Sequence, residues 1–343
     1  MDAFAWLAPG SVAEAARAAS STVAAAMSQP APSSSGRPTA VAKAGGIDLL
    51  DLMKERLLSP ATVVSLRGIP GLDAIAADGS RGLRIGALIT LAQLANEPLV
   101  RAHAPALAQA AQVSASPQIR QVATIGGNLL QRPRCWYFRS AAYPCLRKGG
   151  AACFALAGEN AHHAVFDNLP CAIVHPSTLA TALVALHASI ECSDASGATR
   201  VVPLERFFVP PQQDPRREND LRAGEIVNAV HVPPLAAGVR SVHLKQGERA
   251  AFDWPLADVA VVIELDAQRV CRAASVVLGA AAPVPHRARA AEQALVGRTI
   301  DDAVAGAAAR AALEGATPLA HNAYKLPLLE VLVRRAVLQA ATG

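Results

Sequence analysis

Aromatic residues are scarce in this chain, at 4% of 343 residues, while hydrophobic residues as a group reach 52%. The core must therefore be built mainly from Ala, Val and Leu. Charged residues are few as well, at 17%, and the net charge is only +5. An excess that small is no argument for a nucleic-acid partner. No uninterrupted apolar run approaches the roughly 20 residues that span a bilayer. The most hydrophobic stretch, residues 171–190, is broken by His175, Pro176 and His187. The opening residues MDAFAWLAPG lack the basic and apolar regions of a secretory signal. The chain therefore reads as soluble, with no membrane span, and as cytoplasmic on its own account; export with a signal-bearing partner would make it periplasmic. Six cysteines could form three disulfides in a small secreted domain, but a chain of this length can bury a large core without such staples.

One absence is local. No Asp or Glu occurs between Glu97 and Glu159, whereas Arg101, Arg120, Arg132, Arg134, Arg139, Arg147 and Lys148 all lie there. This stretch suits anionic groups. It contains the glycine loop ATIGGNLL (123–130) and Cys135, Cys145 and Cys153, with Cys171 following to give spacings of C-x9-C, C-x7-C and C-x17-C. Glycine lets a backbone approach phosphate closely, and clustered thiolates hold metal centres. A second glycine loop, AKAGGIDLL (42–50), opens a helix whose N-terminal dipole adds to the attraction for an anion. Neither loop is a G-x-G-x-x-G fingerprint or a P-loop, and each taken singly reads more readily as an ordinary tight turn. No hydrolytic triad and no pair of acid/base carboxylates is evident.

Hydrophobic periodicity organises the rest. Residues 11–27 read as one helix capped by Ser11, and residues 28–38 as a loop. A strand, a Gly45–Gly46 turn and a helix follow, then strand-like segments at 62–69 and 83–90. Residues 90–114 are helical with a break near Pro98. The first half thus alternates strands and helices. Residues 130–169 have little periodicity and read as a long insertion, of a length usually functional or disordered. Residues 177–190 read as a helix, 188–193 as the start of a strand and 225–234 as an alternating strand. From 235 onward strands come first and helices after, which predicts a separate α+β C-terminal domain.

The ordered series AGGIDLLDLMK, LRIGALITLAQLA, QIRQVATIGGNLLQ and HPSTLATALVALHA resembles the FAD-binding medium subunit of molybdenum hydroxylases. The resemblance runs over nearly the whole chain. It implies an α+β protein: a two-subdomain FAD-binding α/β region of the PCMH type (1–60 and 61–230, the latter including an insertion at 130–172), followed by a smaller C-terminal domain at 235–343. Carried over, Lys43, Ala44, Gly45, Gly46, Ile47, Asp48 and Leu49 line one side of the FAD diphosphate, and Thr124, Gly126, Gly127 and Asn128 the other. Ser177 would lie near the flavin, as would Lys245. The chain departs from the family pattern at Ile47, where Thr or Ser is usual, and at Thr178, where Asp is usual. Each change weakens one cofactor contact and leaves the backbone cradle.

Most medium subunits run almost directly from the second glycine loop to the element at Ser177. Here residues 131–175 intervene. They resemble the insertion of periplasmic-type aldehyde oxidoreductase flavin subunits and of 4-hydroxybenzoyl-CoA reductase flavin subunits, and the long C-x17-C gap is closer to the former. The resemblance implies a 4Fe-4S cluster on Cys135, Cys145, Cys153 and Cys171, with nearby Arg134, Arg139, Arg147 and Lys148 favouring its reduced form. Four cysteines are also a valid structural zinc set, although the C-x2-4-C pairs usual there are lacking. Cys192 and Cys271 read as buried free thiols, and His162, His163 and His175 as solvent-facing or hydrogen-bonded.

The function expected is an FAD- and 4Fe-4S-containing electron-transfer subunit of a heterotrimeric aldehyde-oxidising complex. Its partners would be a large subunit with the molybdenum cofactor and a small subunit with 2Fe-2S clusters. Electrons would pass to an external acceptor other than NAD. The alternatives are the flavin subunit of an aryl-CoA reductase and, in another class, a zinc-stabilised binding scaffold.

Overall fold

A computed structural model describes residues 1–27, 39–79, 82–236, 238–249 and 252–342. The loop expected at 28–38 lies outside them. The described residues form three sheets. β1 (Ala5–Leu7), β2 (Ala40–Lys43) and β3 (Thr62–Ser65) form a parallel sheet in the order β1-β3-β2. β4 (Ile75–Ala77), β5 (Leu83–Gly86), β6 (Ser189–Ser193), β7 (Thr199–Pro203) and β8 (Ile226–Val232) form an antiparallel sheet in the order β4-β5-β8-β6-β7. β9 (Val239–Gln246), β10 (Ala257–Leu265), β11 (Cys271–Gly279) and β12 (His286–Arg287) form the third, in the order β12-β11-β10-β9. Helices Arg289–Leu295, Asp302–Ala311 and Lys325–Thr342 follow it, as the strands-then-helices pattern predicts.

β10 explains how the central and C-terminal parts pack together. Its residues alternate between two cores because side chains in a strand alternate between faces. Ala260 and Val262 join the core of Leu179 and Leu183, while Val259, Val261 and Ile263 join that of Leu332, Val333 and Val337. A strand covered on both faces reads as a continuous apolar run, as residues 259–263 do. Helix Thr178–Ala185 is buried at every position, in keeping with a sequence that is uncharged and apolar apart from Thr178 and Thr181.

Some elements differ from expectation. The single helix expected at 11–27 is two, Val12–Ala18 and Val23–Met27. Ser11 caps the first, as expected, and Thr22 Oγ1 accepts from Ala25 N at the start of the second. The intervening Ser20, Ser21 and Thr22 favour caps and turns over helix interiors. The helical stretch after Thr90 breaks at Pro98 and again at Pro105, each proline opening a new helix. The loop ATIGGNLL is largely helical, Ile125–Leu129, with Thr124 as its N-cap. The insertion holds only one-turn pieces, Trp136–Arg139, Leu146–Lys148 and Phe154–Leu156.

Candidate functional site

The two glycine loops meet across one cavity of about 530 Å³. Lys43, Ala44, Gly45, Gly46, Ile47, Asp48 and Leu49 line it on one side, and Thr124, Gly126, Gly127 and Asn128 on the other. Lys245 also reaches its wall, where Nζ donates to Val113 O at 3.0 Å and Asp253 O at 2.5 Å. Burial pushes its ammonium pKa down. Glycine is required at two points. A Cβ on Gly45 would sit 2.1 Å from Val122 O, so only glycine lets the first loop approach the second so closely. Gly46 has φ of +87° and caps helix Ile47–Lys54 with no side-chain hydrogen bond. Ile47, Asp48 and Leu49 line the cavity, and as first-turn residues their N–H groups have no intrahelical acceptor. Free amides at a helix N-terminus suit an anionic group.

The second loop differs. Its amides are spent internally: Gly126 N donates to Ala87 O, Gly127 N to Thr124 Oγ1 and Asn128 N to Thr124 O. It therefore offers a close-fitting wall rather than free backbone donors. Ser177 lies behind that wall instead of on it. Its Oγ donates to Asn128 Oδ1 at 2.6 Å and accepts from Ala180 N, so it caps the next helix and fixes Asn128. Its neighbours Pro176 and Thr178 reach the cavity. Asp48 lines the cavity as part of the helix, and its carboxylate turns to the insertion: Oδ2 accepts from Arg132 N, and Oδ1 pairs with Arg134 and Arg139.

The insertion gathers the four cysteines. Cys135, Cys145, Cys153 and Cys171 line a second, small cavity of about 10 Å³, together with Arg147, His163, Tyr137, Phe138, Leu146, Phe154 and Ile173. All six cysteines of the chain are free, and Cys192 and Cys271 are buried away from this group. Among the described residues no three His, Cys, Asp or Glu side chains are grouped so as to hold a single metal ion. Cys153 and Cys171 are hydrogen-bonded, which raises the Cys153 thiol and lowers that of Cys171, with Arg147 lowering Cys171 further. Burial pushes the Cys135 thiol up to about 11. Of the histidines, His163 Nε2 lies 3.2 Å from Cys135 Sγ. His175 is also buried, and its Nδ1 accepts from Ser177 N.

The donor set fits an iron–sulfur group: four thiols on one cavity and, facing them, the buried Arg147 with Nε and Nη2 lacking hydrogen-bond partners. A cavity that holds about one water must widen as sulfurs draw apart around a cluster. The glycine cradle likewise fits a diphosphate.

Sequence reasoning missed the contact between these two cavities. Arg132 and Glu218 line the larger one and Arg147 the smaller. Arg132 donates Nε and Nη2 to Glu218 at 3.0 and 2.9 Å, and Arg147 Nη1 donates to Glu218 Oε1 at 2.7 Å. Burial alone would raise the Glu218 carboxyl, but the two guanidinium groups outweigh it and hold it below the usual carboxylate range. The arginines belong to the acid-free stretch and could be counted there, whereas Glu218 in RREND carried no signal. Trp254, which reaches the larger cavity beneath Arg134 (4.7 Å, cation to ring centroid), was likewise missed.

Comparison with known proteins agrees with this architecture. The family described as the FAD binding domain in molybdopterin dehydrogenase matches residues 2–235, and the CO dehydrogenase flavoprotein C-terminal domain matches 242–340. The chain is 37% identical over 287 residues to the aldehyde oxidoreductase FAD-binding subunit PaoB of Escherichia coli (strain K12), covering 83% of this chain and 86% of that one. It is 28% identical over 298 residues to the carbon monoxide dehydrogenase medium chain of Hydrogenophaga pseudoflava, covering 86% of each. A solved structure of carbon monoxide dehydrogenase from that organism superposes with a TM-score of 0.73 at 27% identity, over 99% of this chain and 98% of the other. No helix among the described residues is long and apolar enough to cross a membrane.

Proposed function

The chain belongs to the FAD-binding flavoprotein family of the molybdopterin dehydrogenases, and we propose that within it the chain is the FAD- and 4Fe-4S-containing electron-transfer subunit of a heterotrimeric aldehyde oxidoreductase. One observation carries this reading: four cysteines of an insertion line one cavity, and a buried ion-paired group connects it to the cavity between the glycine loops. Similarity to an aldehyde oxidoreductase subunit supports the substrate class. The partners in this reading are a large subunit with the molybdenum cofactor and a small subunit with 2Fe-2S clusters. Residues 1–60 and 61–230 form the two FAD-binding subdomains, and 235–343 the C-terminal domain.

When bound, FAD and the four-iron cluster supply electron-carrying chemistry that no side chain can. The chain binds and positions them. The first-turn amides of Ile47, Asp48 and Leu49 receive the diphosphate, which Lys43, Ala44, Gly45 and Gly46 flank. Thr124, Gly126, Gly127 and Asn128 close the opposite wall, held by Ser177. Lys245, on the cavity wall, would lie near the flavin. Cys135, Cys145, Cys153 and Cys171 hold the cluster as thiolates, which the neighbouring arginines favour.

Turnover of the complex assembled with both partners tests the reading. Aldehydes should be oxidised, with oxygen, a quinone or a small redox protein accepting electrons faster than NAD, and the isolated chain should turn over none. Reduction of aryl-CoA thioesters without aldehyde oxidation, rapid reoxidation by NAD alone, or aldehyde turnover by the isolated chain would each contradict it.

A further inference from the structure

Arg147 is a large, charged side chain with 1% exposure, and it has no role in holding the insertion to the FAD-binding helix, which Arg134 and Arg139 perform. One of its donors reaches Glu218; Nε and Nη2 are buried without partners on the cavity that the four cysteines line. Glu218 is also buried and is shared with Arg132, which lies over the ring of Phe138, itself a wall of the cysteine cavity. Three formal charges thus sit in the interior with a net charge of +1. Removing charges from water is costly, and hydrophobic residues of similar volume often fill such a position at no loss of stability. An unsatisfied guanidinium beside four thiols is costlier still unless something anionic meets it.

We propose that Arg147 is a potential-setting residue for the centre held by the four cysteines, and that Glu218 moderates its charge. The inference rests on the four-iron reading of that cavity. Reduction places an additional negative charge on a cysteine-ligated cluster. A fixed cation in a dry site stabilises that charge far more than a solvated one, and so raises the reduction potential. Glu218 partly neutralises Arg147 and holds the potential down. Arg132 completes the arrangement by keeping Glu218 ionised and oriented through two hydrogen bonds. The residue acts through the field at the sulfurs and does not ligate.

The two charges make opposite predictions. In the complex assembled with its partner subunits, the midpoint potential of the four-iron signal is read by EPR-monitored redox titration, alongside iron and sulfide content. Arg147→Gln should lower the potential, Glu218→Gln should raise it, and Arg147→Lys, which keeps the charge, should remain near the unaltered protein. Should Glu218→Gln fail to fold, the Arg147→Gln and Arg147→Lys pair still decides the matter, since Glu218 keeps Arg132 in both. Potentials that stay fixed in all variants with the cluster intact, or that move in the same direction for Arg147→Gln and Arg147→Lys, would overturn the inference. Absence of iron and sulfide from the unaltered complex would instead overturn the cluster reading on which it rests.

Discussion

Arg139 Nη2 donates to Asp48 Oδ1 at 2.6 Å, tying the cysteine-bearing insertion to the helix whose first turn faces the larger cavity. Asp48 also accepts from Arg132 N at 2.8 Å and pairs with Arg134 at 3.0 Å. One carboxylate therefore gathers three successive parts of the insertion's start. Asp48 sits in the first turn of helix Ile47–Lys54, where the dipole favours an anion.

Asp48→Asn keeps the shape and removes the charge. Hydrogen bonds to a charged group contribute about 1.5–3 kcal/mol, so the variant should lose about that much stability. Flavin and iron contents should fall together, because the same residue supports both cavities. Denaturant unfolding and cofactor analysis check this. Unchanged stability with both contents intact would show the tie to be dispensable.

Gly127 tests the cradle itself. A Cβ there would lie 3.1 Å from Thr124 Oγ1 and 4.0 Å from Ala44 Cβ, in the gap between the loops. Gly127→Val should weaken FAD binding at least about tenfold, or about 1.4 kcal/mol, while the apoprotein stays folded. Flavin fluorescence on release, measured against circular dichroism, separates the two effects. Full flavin retention would remove the diphosphate from this gap.

Most of the fold was legible where periodicity is strong, and the reason shows in particular elements. β10 and helix Lys325–Thr342 are long and apolar on the faces they bury. The short edge strands β1 and β4 have too few residues for an alternation to register, and β7 is mostly exposed. For the site, glycine pairs and cysteine spacing pointed to the right segments. They could not reveal that the amides of Gly126, Gly127 and Asn128 are already satisfied, or that Ser177 supports Asn128 from behind. Hydrogen-bond partners distant in sequence, such as Arg132 and Glu218, leave no local pattern.

His175 gives a pH test. Burial pushes its pKa down to about 4, and its unprotonated Nδ1 accepts from Ser177 N. The folded protein thus binds fewer protons here than the unfolded chain. The stability this group contributes is present above the unfolded value of about 6.5 and is lost as pH falls through about 4. The loss amounts to at most roughly 3 kcal/mol. His175→Gln should flatten the stability profile between those two values. An identical slope in the variant would assign the acid sensitivity to other groups.

The central claim is that two redox cofactors share this one chain, and metal and flavin quantification on the purified complex tests it most directly. Iron, acid-labile sulfide, zinc and FAD are measured in the unaltered complex and after Cys171→Ser or Cys192→Ser. The account predicts one FAD per chain and a four-iron, four-sulfide increment beyond the partner's clusters. Cys171→Ser should lose that increment and Cys192→Ser should keep it. Stoichiometric zinc with no additional sulfide, or an iron content indifferent to Cys171, would contradict it.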